Sequence, residues 1–283
     1  MLGVAITFLS PSHAQKISSP IKTGDLSPQE VIQDLAQANV VYLGETHDSA
    51  EDHKAQLDII QQLYQTDPRM AIGMEMFQRP YQPVIDSFLQ GRLTEAALQK
   101  KSQYEKRWGY PWENYAPFLQ FAKEKKLPVL ALNTPSEVTT KVSRKGLSSL
   151  RAADRKFIPP LSEIRTDNLK YRKSLKEVYE GFHKKGKTKD PWQFERFFQA
   201  QVLWDETMAD VITQFLKKNP ESYVVVLAGQ GHIVYGYGIP SRVARRINSI
   251  SLKTVVQRSV LLNPTEKYPP EKSRIADYFW NNR

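Results

Sequence analysis

The chain is expected to fold as an α/β protein: a central, mostly parallel sheet flanked by helices, with an inserted helical subdomain. Three observations point there. The runs Val40-Val41-Tyr42-Leu43 and Val224-Val225-Val226-Leu227 have the length and apolar composition of strands buried on both faces. An amphipathic stretch separates the first run from another, Met70-Ala71-Ile72-Gly73-Met74, and strand–helix–strand spacing implies a right-handed parallel crossover. Strand-like segments lie toward both ends and helical periodicity fills the middle, so one domain with a helical insert, at about 80–127 and 136–218, is the economical reading.

Each element has its own signal. Residues 15–29 read as a polar lead-in, and Ser27-Pro28-Gln29-Glu30 opens a helix, with Ser27 as cap and Glu30 completing a capping box. The first strand covers 39–43. Ser49 caps a helix to about 64, and Asp67-Pro68 separates it from a strand over 69–76. Short helices follow at 82–89 and 94–101, then the aromatic turn Trp108-Gly109-Tyr110-Pro111-Trp112, a helix over 115–125 and a strand over 128–132. From 136 to 218 the pattern is helical, broken at Pro159-Pro160 and 186–191. Phe194, Phe198, Val202, Met208 and Phe215 form an apolar core stripe on its last helix. A strand at 223–228, a helix at 241–247, a strand at 253–262 and an aromatic edge strand at 275–280 close the chain.

Composition excludes several chemistries. The 283 residues contain no cysteine, so disulfides and thiolate metal sites are ruled out. Residues 1–14 carry a short apolar run before Ser12-His13-Ala14, a pattern that fits the remnant of a signal peptide and an extracytoplasmic protein. A cysteine-free chain has no site for the usual bacterial N-terminal lipid anchor. The net charge of +10 equals the excess between Lys141 and Lys189, where fifteen Lys and Arg face five Asp and Glu. Such a stretch suits an anionic ligand or is simply a solvated surface. No nucleic-acid reader motif accompanies it.

The chemistry concentrates where strands end. In Gly44-Glu45-Thr46-His47 and Gly229-Gln230-Gly231-His232, glycine closes an apolar run and histidine follows three residues later. Ligands of parallel sheets bind beyond the carboxyl ends of the strands. Glu45, His47, Glu75, Asn133, Gln230 and His232 are therefore expected on one rim. Glu45, His47, Glu75 and His232 have the donors for a divalent metal such as Mn, Co or Zn, or for a metal-free acid–base site. The plainer alternative is that the glycines serve turns and the imidazoles satisfy carbonyls. Gly44 and Gly231 are expected to resist substitution because of the turns. His53 and His183 read as surface residues.

Together with Gly73-Met74-Glu75-Met76-Phe77, Asn133-Thr134-Pro135, Gly238-Ile239-Pro240-Ser241-Arg242 and the closing Ala276-Asp277-Tyr278-Phe279-Trp280, these motifs resemble the ChaN family of haem-binding uptake proteins in the Tiki/TraB superfamily. The resemblance covers nearly the whole chain after residue 14. It implies haem or another anionic iron ligand, an iron-uptake role, outer-membrane uptake components as partners, and a homodimer. Haem needs an axial histidine or tyrosine, an apolar slot and basic partners for its propionates, which makes Tyr110, Tyr115 and Arg242 the candidate cofactor-binding residues. Related branches of the superfamily are metal-dependent proteases or esterases. Carried over, that chemistry makes Glu45, His47, Glu75 and His232 a hydrolytic site.

Overall fold

The computed structural model describes residues 16–20, 22, 24, 26–182, 192–248, 254–264 and 274–281. The leader-like residues 1–14 and His183 lie outside them. The elements run β1 (Lys16–Ser18), α1 (Pro28–Leu35), β2 (Val40–Glu45), α2 (Ala50–Thr66), β3 (Met70–Gln78), α3 (Gln82–Leu89), α4 (Glu95–Lys101), α5 (Tyr104–Arg107), α6 (Ala116–Lys125) and β4 (Val129–Asn133). They continue with α7 (Ser136–Lys145), α8 (Leu169–Phe182), α9 (Gln193–Lys218), β5 (Tyr223–Gly229), α10 (Ile239–Asn248), β6 (Gln257–Leu262) and β7 (Tyr278–Asn281).

The strands form one sheet in the order β1-β7-β6-β2-β5-β3-β4. Every neighbouring pair is parallel except β1 with β7. This is the expected mostly parallel α/β architecture. Strand side chains alternate between two apolar layers. Val41, Leu43, Ile72, Val225 and Leu227 pack with α1, α2, α3 and α6, while Val40, Tyr42, Val224, Val226 and Leu261 pack with α9 and α10. A third cluster, including Val142, Leu150, Tyr171 and Phe198, lies among α7, α8 and the first half of α9.

Local signals work as expected at the helix starts. Ser27 and Glu30 form the reciprocal capping box, and Ser49 accepts from the Asp52 amide. Three readings need correction. The lead-in contains β1, which is only three residues long and has Ile17 as its single buried side chain. Because β1 pairs outside β7, the aromatic closing strand is not an edge. Residues 146–168 are not α-helical; Gly146 ends α7 at φ 79°, and short 3₁₀ turns at Leu147–Ser149, Ala152–Arg155 and Leu161–Glu163 lead around Pro159-Pro160.

Candidate functional site at the sheet rim

Strand β2 delivers Glu45 to the carboxyl rim, where it is only 2% exposed. Burying a carboxylate requires strong partners, and three surround it. The Tyr115 hydroxyl donates to Glu45 Oε1 at 2.7 Å, Gln56 Nε2 donates to Oε2 at 2.7 Å, and His47 Nδ1 lies 2.8 Å from Oε1. A carboxylate oxygen accepts here, so His47 presents an N–H at Nδ1 to Glu45 and keeps Nε2 outside that bond. The loop holding His47 is fixed from below. Asp52 accepts from the Thr46 amide at 2.8 Å and from Asn263 Nδ2 at 2.7 Å. Burial raises the Asp52 pKa despite these donors.

His53 is not a surface residue. It is 5% exposed, its Nε2 is 3.1 Å from the His47 carbonyl, and its ring meets Tyr115 at 4.7 Å. The helical phase of α2 turns it inward beside Gln56, so it braces the same loop.

The second half of the site is built around Glu75. Between Met74 and Gln78 the β3–β4 register shifts, and this irregular stretch carries Glu75. Its Oε2 accepts from the Gly229 amide at 2.8 Å, while His232 Nε2 stands 3.4 Å from Oε1. The other ring nitrogen, His232 Nδ1, donates to Asp205 Oδ1 at 2.7 Å. Asp205, on α9, accepts the Tyr171 hydroxyl on its second oxygen, also at 2.7 Å. A polar chain therefore runs from Tyr171 through Asp205 and His232 to Glu75, and His47 with Glu45 stands on the far side.

Charges in this chain depend on one another. Burial opposes a charged His232, but Glu75 and Asp205 outweigh it and raise its pKa. Burial likewise opposes a charged Glu75, yet His232 and then His47 hold it well below the ordinary carboxylate range. The His47 pKa is also raised: desolvation works against it, and the Glu45 hydrogen bond and the Glu75 charge overcome that. The result is a buried imidazolium–carboxylate pair with a second, partly exposed imidazole beside it.

Two glycines are required by contact. A β-carbon on Gly229 would fall 2.9 Å from His47 Cε1 and Nε2, and one on Gly238 would fall 2.2 Å from the His232 carbonyl oxygen. Gly44 would drive a β-carbon to 2.8 Å from Leu261 Cδ2, so packing and not backbone conformation demands glycine there. Gly231 differs from expectation, since nothing lies within 4 Å of its added β-carbon.

Aromatic rings close the outer side. Trp108 meets the His47 ring edge-on at 4.8 Å, Tyr110 lies 5.0 Å from it, and both are half-buried. Tyr115 is fully buried, with its hydroxyl engaged by Glu45. Arg242 is also buried. Its Nη1 donates to the carbonyls of Tyr237 and Gly238 at 2.6 and 2.9 Å and stands 3.9 Å from Asp205, so it supports the His232 turn from behind. Asn133 reaches the rim and gives its amide to the Glu75 carbonyl, while Gln230 gives its own to Leu262. Among the described residues no group of three or more His, Asp or Glu is arranged to hold a metal ion. No helix among them is long and apolar enough to cross a membrane.

Sequence reading missed Asp205, Gln56, Asp52 and Tyr171. A signal existed for Asp205: it stands with Glu206 among Val202, Leu203 and Met208, acids inside the apolar phase of a long helix. Carboxylates in such positions are paired.

The fold and rim define an α/β protein with paired imidazoles and carboxylates beyond the carboxyl ends of a parallel sheet. Within that class, residues 31–243 match the family described as "Haem-binding uptake, Tiki superfamily, ChaN", and the chain belongs to that family. A structure of cofacial haem binding to ChaN of Campylobacter jejuni has a similar fold, with a TM-score of 0.73 and 19% identity over 94% of this chain and 96% of that one. The chain is also 26% identical over 290 residues to the Arabidopsis thaliana protein RETICULATA-RELATED 5, chloroplastic. That match covers 94% of this chain and 37% of the plant protein.

Proposed function

We propose that this protein binds haem, or a closely related anionic iron ligand, as an extracytoplasmic component of iron uptake. Membership of the haem-binding uptake family over residues 31–243 carries the reading. The residues at the rim fit a haem edge: Trp108 and Tyr110 offer half-buried aromatic faces beside the partly exposed His47. Tyr110 or His47 would supply the axial atom. Tyr115 would act through Glu45, because its hydroxyl already donates there. Arg242 would shape the pocket without meeting propionates, which fall to the exposed cations of the basic stretch. Bound haem supplies a Lewis-acidic iron in a large apolar ring. A homodimer and outer-membrane uptake partners belong to the same proposal.

Haemin titrated into the purified protein is expected to give a saturable, shifted Soret band. Tyr110→Phe should shift that band or weaken binding at least tenfold, and Tyr115→Phe should do neither to the same degree. A Soret band identical to free haemin at stoichiometric protein would refute the reading.

A second reading is hydrolysis at the rim, favoured by the two carboxylate–imidazole pairs, Glu45–His47 and Asp205–His232, on either side of Glu75. His47, whose Nε2 is free of Glu45, would act as general base, with protonated His232 stabilising developing negative charge. Turnover of p-nitrophenyl esters, with and without added Zn²⁺, Mn²⁺ or Co²⁺, tests it. Activity equal in wild type and His47→Ala would remove it.

A further inference from the structure

A cavity of about 330 Å³ lies beside the edge strand β4 on the face covered by α9, and none of the rim residues lines it. Leu130, Val211, Phe215 and Phe157 give it an apolar floor, while Arg79 and Lys218 stand in its wall. A third cation, Lys156, lies 5.2 Å over the Phe157 ring. Among the described residues no carboxylate lines the cavity. Two carboxylates stand behind the lining residues: Asp210 is engaged by Arg79 at 2.9 Å and by Gln214 Nε2 at 3.0 and 2.9 Å, and Asp86 accepts from Gln82 Nε2 at 2.8 Å.

The backbone of β4 does not invite a peptide strand here. Gln82 imitates a neighbouring strand, donating to the Val129 carbonyl at 2.7 Å and accepting from the Ala131 amide at 2.7 Å. The open edge is thus blocked at this level, so strand addition is disfavoured. What remains is a pocket within the usual size range for small ligands, apolar inside and positive at the mouth. An apolar body gains from such a floor, and an anionic head gains charge-assisted hydrogen bonds from the mouth. Phe157 and Lys156 also give part of the basic stretch a task separate from the rim.

We propose that this cavity is a second binding site, for a single-chain amphiphilic anion of the medium-chain acyl carboxylate class. The tail lies over Leu130, Val211 and Phe215, and the carboxylate meets Lys218 and the free edge of the Arg79 guanidinium. Calorimetric titration of the full chain with decanoate, below its micelle concentration, should give saturable binding. Decanol, the neutral counterpart, should bind at least tenfold more weakly, because it loses the charge-assisted contacts. Lys218→Glu, a surface change that spares the core, should weaken decanoate about tenfold and leave decanol unchanged. Val211→Trp should fill the cavity and abolish both, and His47→Ala should affect neither. Equal affinity for decanoate and decanol, no response to Lys218→Glu, or absence of decanoate binding would each overturn the proposal.

Discussion

The ring of His47 rests directly on the backbone of Gly229, so the two glycine–histidine motifs, far apart in the chain, meet in one site. The same Gly229 amide donates to Glu75, which faces His232. One backbone position therefore sets the place of both imidazoles.

Gly229→Ala should then displace His47. Its β-carbon would overlap a ring held from behind by Glu45, so relief must come from the loop or from β5, at about 1–3 kcal/mol of overpacking. Gly231→Ala should be tolerated, since its added carbon meets open space. Thermal melts with a histidine NMR titration distinguish the two. An unshifted His47 resonance in Gly229→Ala would contradict the contact.

Asp205→Asn should lower the His232 pKa and destabilise the protein. The substitution removes the negative charge beside His232 and replaces an acceptor with a group that can donate toward Nδ1 or Tyr171. Breaking a buried ion pair from one side costs about 3–5 kcal/mol. Urea unfolding measures the loss, and a variant as stable as wild type would show that His232 is neutral in the native state.

The pH dependence follows from two opposed shifts. His232 is raised from 6.5 to about 10, so its contribution is complete below pH 6.5 and is lost as pH rises through 10. Glu75 is lowered from 4.5 to about 2, so its contribution is complete above pH 4.5 and is lost as pH falls through 2. Both are fully present only between pH 4.5 and 6.5. The melting temperature should decline on either side of that window, and Glu75→Gln should flatten the acid limb. An acid limb unchanged in Glu75→Gln would mean that Glu75 is not ionised in the fold.

The legible parts of this molecule were those encoded within a few neighbouring residues. Apolar runs marked β2, β3 and β5, Ser27 and Ser49 marked helix starts, and the positions of Glu45, His47, Glu75 and His232 followed from strand ends. The hidden parts depend on long-range contacts. Strand β1 exists because β7 offers an edge, not because Lys16–Ser18 favours a strand. His53 turns inward because Tyr115, 62 positions later, provides a ring for it. Gly231 and Gly229 look equivalent in a motif, and only the position of the His47 ring separates them.

The two histidines should behave as a unit toward ligand. Each stands beside Glu75, and each is oriented by its own buried carboxylate, Glu45 or Asp205. Removing either leaves Glu75 with one imidazole neighbour and leaves one carboxylate without its imidazole. His47→Ala and His232→Ala are each expected to lower haemin affinity at least tenfold, and the double variant should fall little further, because members of one constellation are non-additive. Secondary structure should persist in all three, since Val40–Leu43 and Val224–Leu227 remain packed on both faces. Soret titrations and circular dichroism on the four proteins decide the matter. Small losses that simply add would place the two imidazoles in separate roles.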